Sequence, residues 1–333
     1  MRRLLVTGRF KAAQLLAEIQ NGTAPANHLL AAPLLAERGW QVMALDLTPQ
    51  ELASSVAFQR RVWRERANFD TVLAYNYHDI RLLCALKLVG LFPPSISAVV
   101  HMLRPRPWDR LALAGCNRLF ALSNAAVTGL GRAGAAPSKI VYFRYGADAA
   151  FYRELPWPET PGIVLSVGVT GRDFGTLIQA ARSIRAEVHI VGRVADQDAA
   201  GAPPNVKIHS SGNYDLPFAA LTDLYARAAC VVVAHRGTED PNGLNAVMEA
   251  MAFGRPVVLT AGPGMDIDTV GLKIGAMVPP SDAEALAAAV NGLLSNAAST
   301  TAKGRTARKL VETHYSTQCM ADTLDSALSS IRT

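Results

Sequence analysis

The sequence contains no run of about 18 apolar residues, the length that a helix needs to cross a bilayer. This argues against a membrane-spanning protein, although half of the residues are hydrophobic. The apolar stretch after Arg2 and Arg3 ends after a few residues at Gly8 and Arg9, so we interpret it as a first β-strand and not as a signal peptide.

The sequence also lacks paired cysteines and nucleic-acid motifs. Its four cysteines stand far apart, with no CxxC pair and no Cys/His spacing typical of zinc. Free thiols in a reducing compartment are therefore expected, which favours a cytoplasmic protein. No helix-turn-helix, zinc-finger or RNP-like pattern is present, so no nucleic-acid partner is predicted.

Charge is distributed unevenly along the chain. Residues 1–150 hold 18 Lys and Arg against 9 Asp and Glu, while residues 151–333 hold 15 against 18, giving +9 and −3. The surplus includes two clusters with an interleaved tryptophan, 60–66 and 104–110. Such clusters suit an anionic membrane surface or an acidic acceptor, and peripheral attachment to the inner face of the membrane is one interpretation. A solvated helix face, with the tryptophans in the core, is the other.

Strand and helix signals alternate through both halves of the chain, which predicts parallel α/β sheets. The proline-rich stretch 155–162 suggests a linker between two domains. We predict an N-terminal domain over 1–155, a second domain over 156–313 and a C-terminal helix within 314–333 that returns to the first domain. A helix is also predicted over 27–38, ended by Gly39. The other predicted elements are strands at 3–7, 41–45, 71–74, 98–101, 163–167, 187–191, 206–209, 229–234 and 257–259, and a helix at 282–294.

The most informative segment runs from 229 to 260. Two buried strands flank a polar loop and a short helix that ends between Gly254 and Pro256. Such a crossover is right-handed and places the loop 235–242 at the carboxyl edge of a parallel sheet, where open α/β folds bind ligands. A binding site is therefore expected at this loop.

The helix after the loop has one polar face. Asn242, Asn245 and Glu249 share that face, and the opposite side is apolar. Gly243 permits close approach of a ligand, and the N–H groups of the first turn, from Gly243 through Leu244 to Asn245, suit a phosphate or a sugar hydroxyl. Glu249 is placed to accept hydrogen bonds from a ribose diol. The alternative is an ordinary solvated helix.

The segment Glu249-Ala-Met-Ala-Phe-Gly-Arg-Pro-Val-Val resembles the donor motif of retaining GT-B glycosyltransferases of the family-4 group, in which two glutamates are separated by seven residues. Glu249 matches the second, ribose-binding glutamate. Pro241 stands where the family has the first glutamate, with Glu239 close by as a candidate substitute. The resemblance implies the GT-B fold, which is two Rossmann-like domains facing across a cleft that holds the substrates.

Three weaker resemblances extend along the chain. The stretch 27–42 is similar to the family's first helix and second strand, and 142–148 to the turn that closes the first domain. The stretch 166–180 is similar to the start of the donor domain, where Gly168 precedes the diphosphate loop. Of the family's two diphosphate-binding cations only Arg172 is present, because Val169 occupies the first position.

The resemblance also indicates residues in the first domain. His101, at the end of a predicted strand, matches a histidine that the family directs at the donor sugar or the acceptor; a core histidine is the alternative. His28 and Arg104 are further acceptor-side candidates.

The implied reaction is transfer of a sugar from a nucleotide-diphosphate donor to an acceptor hydroxyl, with retention, through Arg172 and His101. No cofactor and no metal are expected, since the pairs Asp196/Asp198 and Asp266/Asp268 fall in predicted loops. The acceptor is a glycan, a lipid-linked compound or a small molecule. Two alternatives stay open: an epimerase or phosphorylase on the same fold, and a non-catalytic sugar-nucleotide or glycan-binding protein.

Overall fold

A computed structural model describes residues 2–104, 106–158, 162–210 and 216–331. The chain divides into two compact units, one formed by Met1–Phe151 with Tyr315–Thr333 and the other by Tyr152–His314. Part of the predicted linker, residues 159–161, and Pro105 of the second arginine cluster lie outside the described residues. No helix in the described ranges is long and apolar enough to cross a membrane.

The first unit is built around a parallel sheet of six strands. The strands are β1 (Arg2–Thr7), β2 (Trp40–Met43), β3 (Thr71–Ala74), β4 (Ser95–Val100), β5 (Arg118–Ala121) and β6 (Ile140–Tyr142). Their order in the sheet is β2-β1-β3-β4-β5-β6. The connecting helices are α1 (Ala12–Gln20), α2 (Pro49–Ala53), α3 (Ser55–Arg64), α4 (Arg81–Leu88), α5 (Asp109–Gly115) and α6 (Asn124–Arg132).

Helices α3, α4 and α5 cover one face of this sheet. Each connection from β2 through to β5 advances across the sheet in the same direction, so right-handed crossovers place all three on the same side. Their buried side chains, such as Phe58, Leu83 and Leu113, share one apolar core with Val72 and Ala98 of the strands. The sheet therefore positions these three helices side by side.

The predicted helix over 27–38 is wrong in detail. Two short 3-10 segments, Ala26–Leu29 and Ala32–Arg38, are separated by Leu30 and Ala31, which both have a φ of +58°. Two successive left-handed residues break a helix, and neither is a glycine, so the sequence carries no sign of the break. Gly39, with a φ of +82°, ends the second segment as predicted.

The second unit contains another six-stranded parallel sheet. Its strands are β7 (Ile163–Gly168), β8 (Val188–Gly192), β9 (Val206–Ser210), β10 (Ala228–Val233), β11 (Val257–Thr260) and β12 (Gly275–Val278). They are ordered β12-β11-β10-β7-β8-β9. The helices are α7 (Phe174–Ala181), α8 (Asp196–Ala200), α9 (Phe218–Arg227), α10 (Leu244–Ala252), α11 (Ala283–Leu294) and α12 (Ala297–Thr313).

The last helix, α13 (Thr317–Ser329), belongs to the first unit although it follows the whole of the second in sequence. Trp40 donates its indole N–H to Asp325 at 2.7 Å, and Arg38 forms a salt bridge with Asp322. Ala147 pairs with Ser316 in a short parallel bridge. The two sheets and their surrounding helices confirm the predicted fold class of two Rossmann-like domains.

Candidate functional site

The strand order of the second unit identifies where a ligand binds. From β7 the chain moves outward to β8 and β9, then returns to the other side of β7 to form β10, β11 and β12. The connection that leaves β7 therefore runs toward one edge of the sheet, and the connection that leaves β10 runs toward the other. In sheets of this order dinucleotides bind beyond the carboxyl ends of that strand pair. The loops that leave β7 and β10 carry most of the predicted donor residues.

Gly168 and Arg172 lie together in the loop after β7. Gly168 has a φ of +143°, and a side chain there would clash with the Arg172 guanidinium. Arg172 donates from Nε and Nη2 to the Val167 carbonyl, at 3.1 and 2.9 Å, and from Nη1 to the Thr170 carbonyl at 3.3 Å. The loop's own carbonyls thus hold the cation at the strand end, where fixed positive charge stabilises an anion.

The amino end of α10 approaches the same loop. Gly243, the N-cap of α10, has a φ of +116°, and a side chain on it would meet Val233 and the Arg172 guanidinium. Gly171, with a φ of +64°, lies against the Asn242 amide. The structure therefore brings Gly168, Arg172, Asn242 and Gly243 together, and the first N–H groups of α10 have no partner inside the helix.

His235, which was not among the predicted site residues, stands between these two loops. It directly follows β10 and Ala234, forms a bridge to the Arg172 backbone, and is 1% exposed. Its Nδ1 accepts a hydrogen bond from the Gly237 N–H at 3.0 Å, which leaves the ring proton on Nε2. Burial lowers the pKa of His235 most. A hydrogen bond with the Thr260 backbone opposes this and the Arg172 charge adds to it, so the net effect is a lowered pKa and the ring is neutral beside the cation.

Glu249 is not solvated, as the alternative of an ordinary solvated helix would have it. The side chain is only 9% exposed and belongs to the buried part of α10. The Tyr225 hydroxyl donates to Glu249 Oε2 at 2.9 Å, and the Tyr152 hydroxyl donates to Oε1 at 3.4 Å. Phe253 packs on both tyrosine rings. The carboxylate is therefore held in place by two hydroxyls that donate to its two oxygens.

No sequence signal indicated these two tyrosines. Tyr225 lies 24 positions before Glu249 on α9, and Tyr152 lies 97 positions before it, at the start of the second unit. Arg308 on α12 fixes the Tyr152 segment by donating to the carbonyls of Tyr152 and Ala252. Only the folded unit brings these distant segments to one carboxylate.

The remaining donor-side candidates line the entrance to α10. Leu244 is half-buried, while Asn245 and Glu239 are exposed. Pro241, at the family's first glutamate position, ends the loop and accepts at its carbonyl from the Leu244 N–H at 3.3 Å. The Glu239 backbone packs against Gly264, where a side chain would clash with the carbonyls of Glu239 and Asp240. The loop is thus fixed through its backbone while the Glu239 side chain faces solvent.

The two aspartate pairs, at which no metal is expected, have structural surroundings of their own. Asp268 Oδ1 accepts hydrogen bonds from the Val270 and Gly271 N–H groups and closes a turn. Asp196 and Asp198 lie on α8. Within the described ranges, no three His, Cys, Asp or Glu side chains are grouped in a way that could hold a metal ion.

His101 lies at the carboxyl edge of the sheet in the first unit. It follows β4, and its ring stands 5.6 Å from that of Tyr75, which follows β3 and contacts Phe10 at 5.1 Å. Burial, and to a smaller extent His78, lowers the pKa of His101 to about 4, so the imidazole is neutral at pH 7. A neutral histidine at a strand end can accept a proton or orient a hydroxyl.

The other two acceptor-side candidates lie in different environments. His28 is half-buried in the first 3-10 segment, beside the fully buried Asn27. The Asn27 side-chain oxygen accepts a hydrogen bond from the Asp148 N–H. The Asn27 side-chain nitrogen donates to the Tyr145 hydroxyl, and that hydroxyl donates to the Asn27 carbonyl. These bonds tie the segment to the turn at 142–148. Arg104 is exposed. The contacts therefore explain Asn27 as a structural residue and leave the roles of His28 and Arg104 as predictions.

Comparisons with known proteins agree with this architecture. Residues 163–296 match the family model described as glycosyl transferases group 1, which covers most of the second unit. No curated protein sequence matches the chain. The family model confirms the predicted resemblance to glycosyltransferases for this part of the chain.

Solved structures resemble the whole chain at low sequence identity. HepE from Anabaena in complex with UDP has a TM-score of 0.72 and 16% identity, covering 99% of this chain and 100% of its own. Sucrose-phosphate synthase from Thermosynechococcus elongatus has a TM-score of 0.75 and 16% identity, covering 99% and 98%. The apo lipopolysaccharide outer core galactosyltransferase WaaB has a TM-score of 0.63 and 12% identity, covering 99% of both chains. These similarities show that the chain has the GT-B fold.

Proposed function

We propose that this protein is a glycosyltransferase that moves a sugar from a nucleotide-diphosphate sugar to an acceptor hydroxyl, with retention and without a metal or other cofactor. The observation that carries the proposal is the arrangement of Gly168, Arg172 and Gly243 at the divergence of β7 and β10. A diphosphate leaving group develops negative charge as the glycosidic bond breaks. Arg172 and the amino end of α10 supply the positive potential that this charge requires.

The donor is proposed to lie with its ribose at Glu249. The Tyr152 and Tyr225 hydroxyls fix the position of the carboxylate, and Gly243 lets the diphosphate approach the backbone of α10. HepE is solved with UDP and with UDP-glucose, so uridine diphosphate sugars are the first donors to test.

The first unit is proposed to hold the acceptor, with neutral His101 directed at the reacting sugar or hydroxyl. The +9 charge of residues 1–150 favours an acceptor that is anionic or linked to a lipid, and a neutral small molecule is the alternative. We place the reaction in the cytoplasm, since the four cysteines are free thiols.

The test is an assay of nucleoside diphosphate release with the full chain, UDP-sugars and a panel of glycan and lipid-linked acceptors. NMR of the product establishes whether the anomeric configuration is retained. Transfer that requires both donor and acceptor supports the proposal. Inverted product would remove the retaining mechanism, and isomerised donor in the absence of acceptor would identify an epimerase instead.

A non-catalytic binding protein is the second candidate, because Pro241 and Val169 replace two customary donor contacts. Calorimetry with UDP and UDP-sugars measures binding, and the release assay measures turnover, so the two together separate it from the enzyme. Tight nucleotide binding without turnover across the acceptor panel would favour this candidate.

A further inference from the structure

Exposed apolar side chains are concentrated on one side of the first unit. Of the eleven large apolar side chains that are exposed in the described ranges, eight lie on or beside α3, α4 and α5. Six of them belong to the first two helices and the turn after α4: Val56, Trp63, Leu82, Leu88, Val89 and Leu91. The other two, Trp108 and Leu111, lie at the start of α5. We call this surface the α3–α5 face.

Hydrogen bonds hold the three helices in contact. The Gln59 side chain on α3 accepts from the backbone N–H of Leu82 at 2.8 Å, and Trp63 donates its indole N–H to the Leu91 carbonyl at 3.2 Å. Between α4 and α5, Arg81 forms a salt bridge of 3.2 Å with the fully buried Asp109. The exposed apolar groups therefore lie on adjacent helices.

Cationic side chains alternate with the apolar ones. On α3, Val56, Arg60, Trp63 and Arg64 are spaced at i, i+4, i+7 and i+8 and share the exposed side, while Phe58 and Val62 face the core. Arg60 and Arg64 form no salt bridge with any described residue. The guanidinium of Arg66 lies over the Trp63 ring, 4.0 Å from its centre.

The same pattern recurs on α5. Trp108 is 55% exposed with the Arg106 guanidinium 5.7 Å from its ring centre, and Arg110 and Leu111 follow it on the exposed side. The acidic side chain of this segment, Asp109, is buried and paired with Arg81. Acidic charge is thus directed inward and cationic charge outward.

We infer that the α3–α5 face docks on an anionic lipid membrane. Interfacial helices have this composition, with tryptophan and leucine entering the headgroup region and arginine bound to anionic lipid. The charge of the face selects this partner, because the outward guanidinium groups of Arg60 and Arg64 have no counter-ion among the residues that the structure describes. Such docking would hold the first unit at the surface where a lipid-linked acceptor is found. It does not depend on the proposed transfer reaction.

Co-sedimentation of the full chain with vesicles tests the inference. Wild-type protein is expected to pellet with vesicles of phosphatidylglycerol and phosphatidylcholine at low salt, and not with phosphatidylcholine alone. Raising the salt should release it, because the Debye length shortens from about 30 Å at 0.01 M to about 10 Å at 0.1 M.

Two variants with matched controls separate the contributions. Arg60→Ser/Arg64→Ser should lower the vesicle partition coefficient by about 30-fold, since each arginine near an anionic surface contributes about 1 kcal/mol. Arg305→Ser/Lys309→Ser, an exposed i, i+4 pair on α12, should leave it unchanged.

Val89→Ser/Leu91→Ser should weaken binding even at low salt, because it removes apolar contact with the lipid. Val270→Ser, at an exposed valine of the second unit, is its control. Failure of wild type to pellet with anionic vesicles, or equal losses in the variants and their controls, would overturn the inference. So would a dimer in sedimentation velocity that Val89→Ser/Leu91→Ser converts to monomer, since the face would then be a protein interface.

Discussion

Replacing Glu249 by alanine should reduce both nucleotide affinity and protein stability. The carboxylate is buried, and hydroxyls of Tyr225 and Tyr152 donate to its two oxygens. A hydrogen bond to a charged group contributes about 1.5–3 kcal/mol, so losing the ribose contact should weaken UDP binding by about 10- to 150-fold. The two tyrosine hydroxyls would also lose their acceptor inside the unit. Leaving a buried donor unsatisfied costs about 1–3 kcal/mol, which should appear in the free energy of unfolding.

Glu249→Gln and two tyrosine variants separate these effects. Glutamine keeps the volume and one acceptor, so stability should fall less than in Glu249→Ala while UDP affinity still drops with the charge. Tyr225→Phe should be more destabilising than Tyr152→Phe, because its hydrogen bond is 2.9 Å long against 3.4 Å. The effects of Tyr225→Phe and Glu249→Gln should be non-additive, since the two side chains interact directly.

The measurements are calorimetric titration with UDP and urea unfolding of the same protein samples. Unchanged UDP affinity in a folded Glu249→Ala protein would remove the ribose assignment. Unchanged stability would instead refute the role given to the tyrosine hydrogen bonds. The two results are independent, so each part of the reasoning can fail separately.

Three further predictions concern turnover, metal and pH. Arg172→Ala should lower kcat more than donor affinity, because leaving-group charge is greatest in the transition state. Arg172→Lys should recover part of the rate. A normal kcat in Arg172→Ala would contradict this prediction. Activity should persist in excess EDTA, and loss that Mg²⁺ or Mn²⁺ restores would disprove metal independence. Burial lowers the pKa of His101 from 6.5 to about 4, so its neutral form stabilises the fold fully above about pH 6.5, and this contribution is lost as the pH falls toward 4. Urea unfolding of the wild type should show a loss of up to about 3 kcal/mol, at about 1.36 kcal/mol per unit of pKa. The loss should be smaller in His101→Gln. Parallel plots of unfolding free energy against pH for the two proteins would contradict the assignment.

Much of the fold follows from local sequence. Buried apolar runs located β3 and β10 closely, and Gly254 ended α10 where predicted, because these features depend on neighbouring residues. The strands β5, β6 and β12 were missed because a run of three or four residues is too short to show a distinctive period.

Features that depend on distant residues were not predictable. Glu249 lies on the polar face of α10 by its spacing, and its contacts with Tyr152 and Tyr225 come from segments far along the chain. Cys84 and Cys116, far apart in sequence, place their buried sulfur atoms 3.3 Å apart as free thiols, because α4 and α5 are adjacent. The grouping of Arg172 with the start of α10 was expected from the family resemblance. The strand order explains it, because the loops after β7 and β10 lie side by side.

The discontinuity of the first unit bears on the order in which the chain folds during synthesis. Its sheet is made early, yet α13 emerges from the ribosome only after the whole second unit. The second unit is continuous in sequence and can close as soon as α12 is available, whereas the first must wait with Trp40 and Arg38 uncovered. Translation therefore completes the second unit before the amino-terminal one. A ribosome that stops before Thr317 would release a chain in which the later-made unit is whole and the earlier-made unit is not.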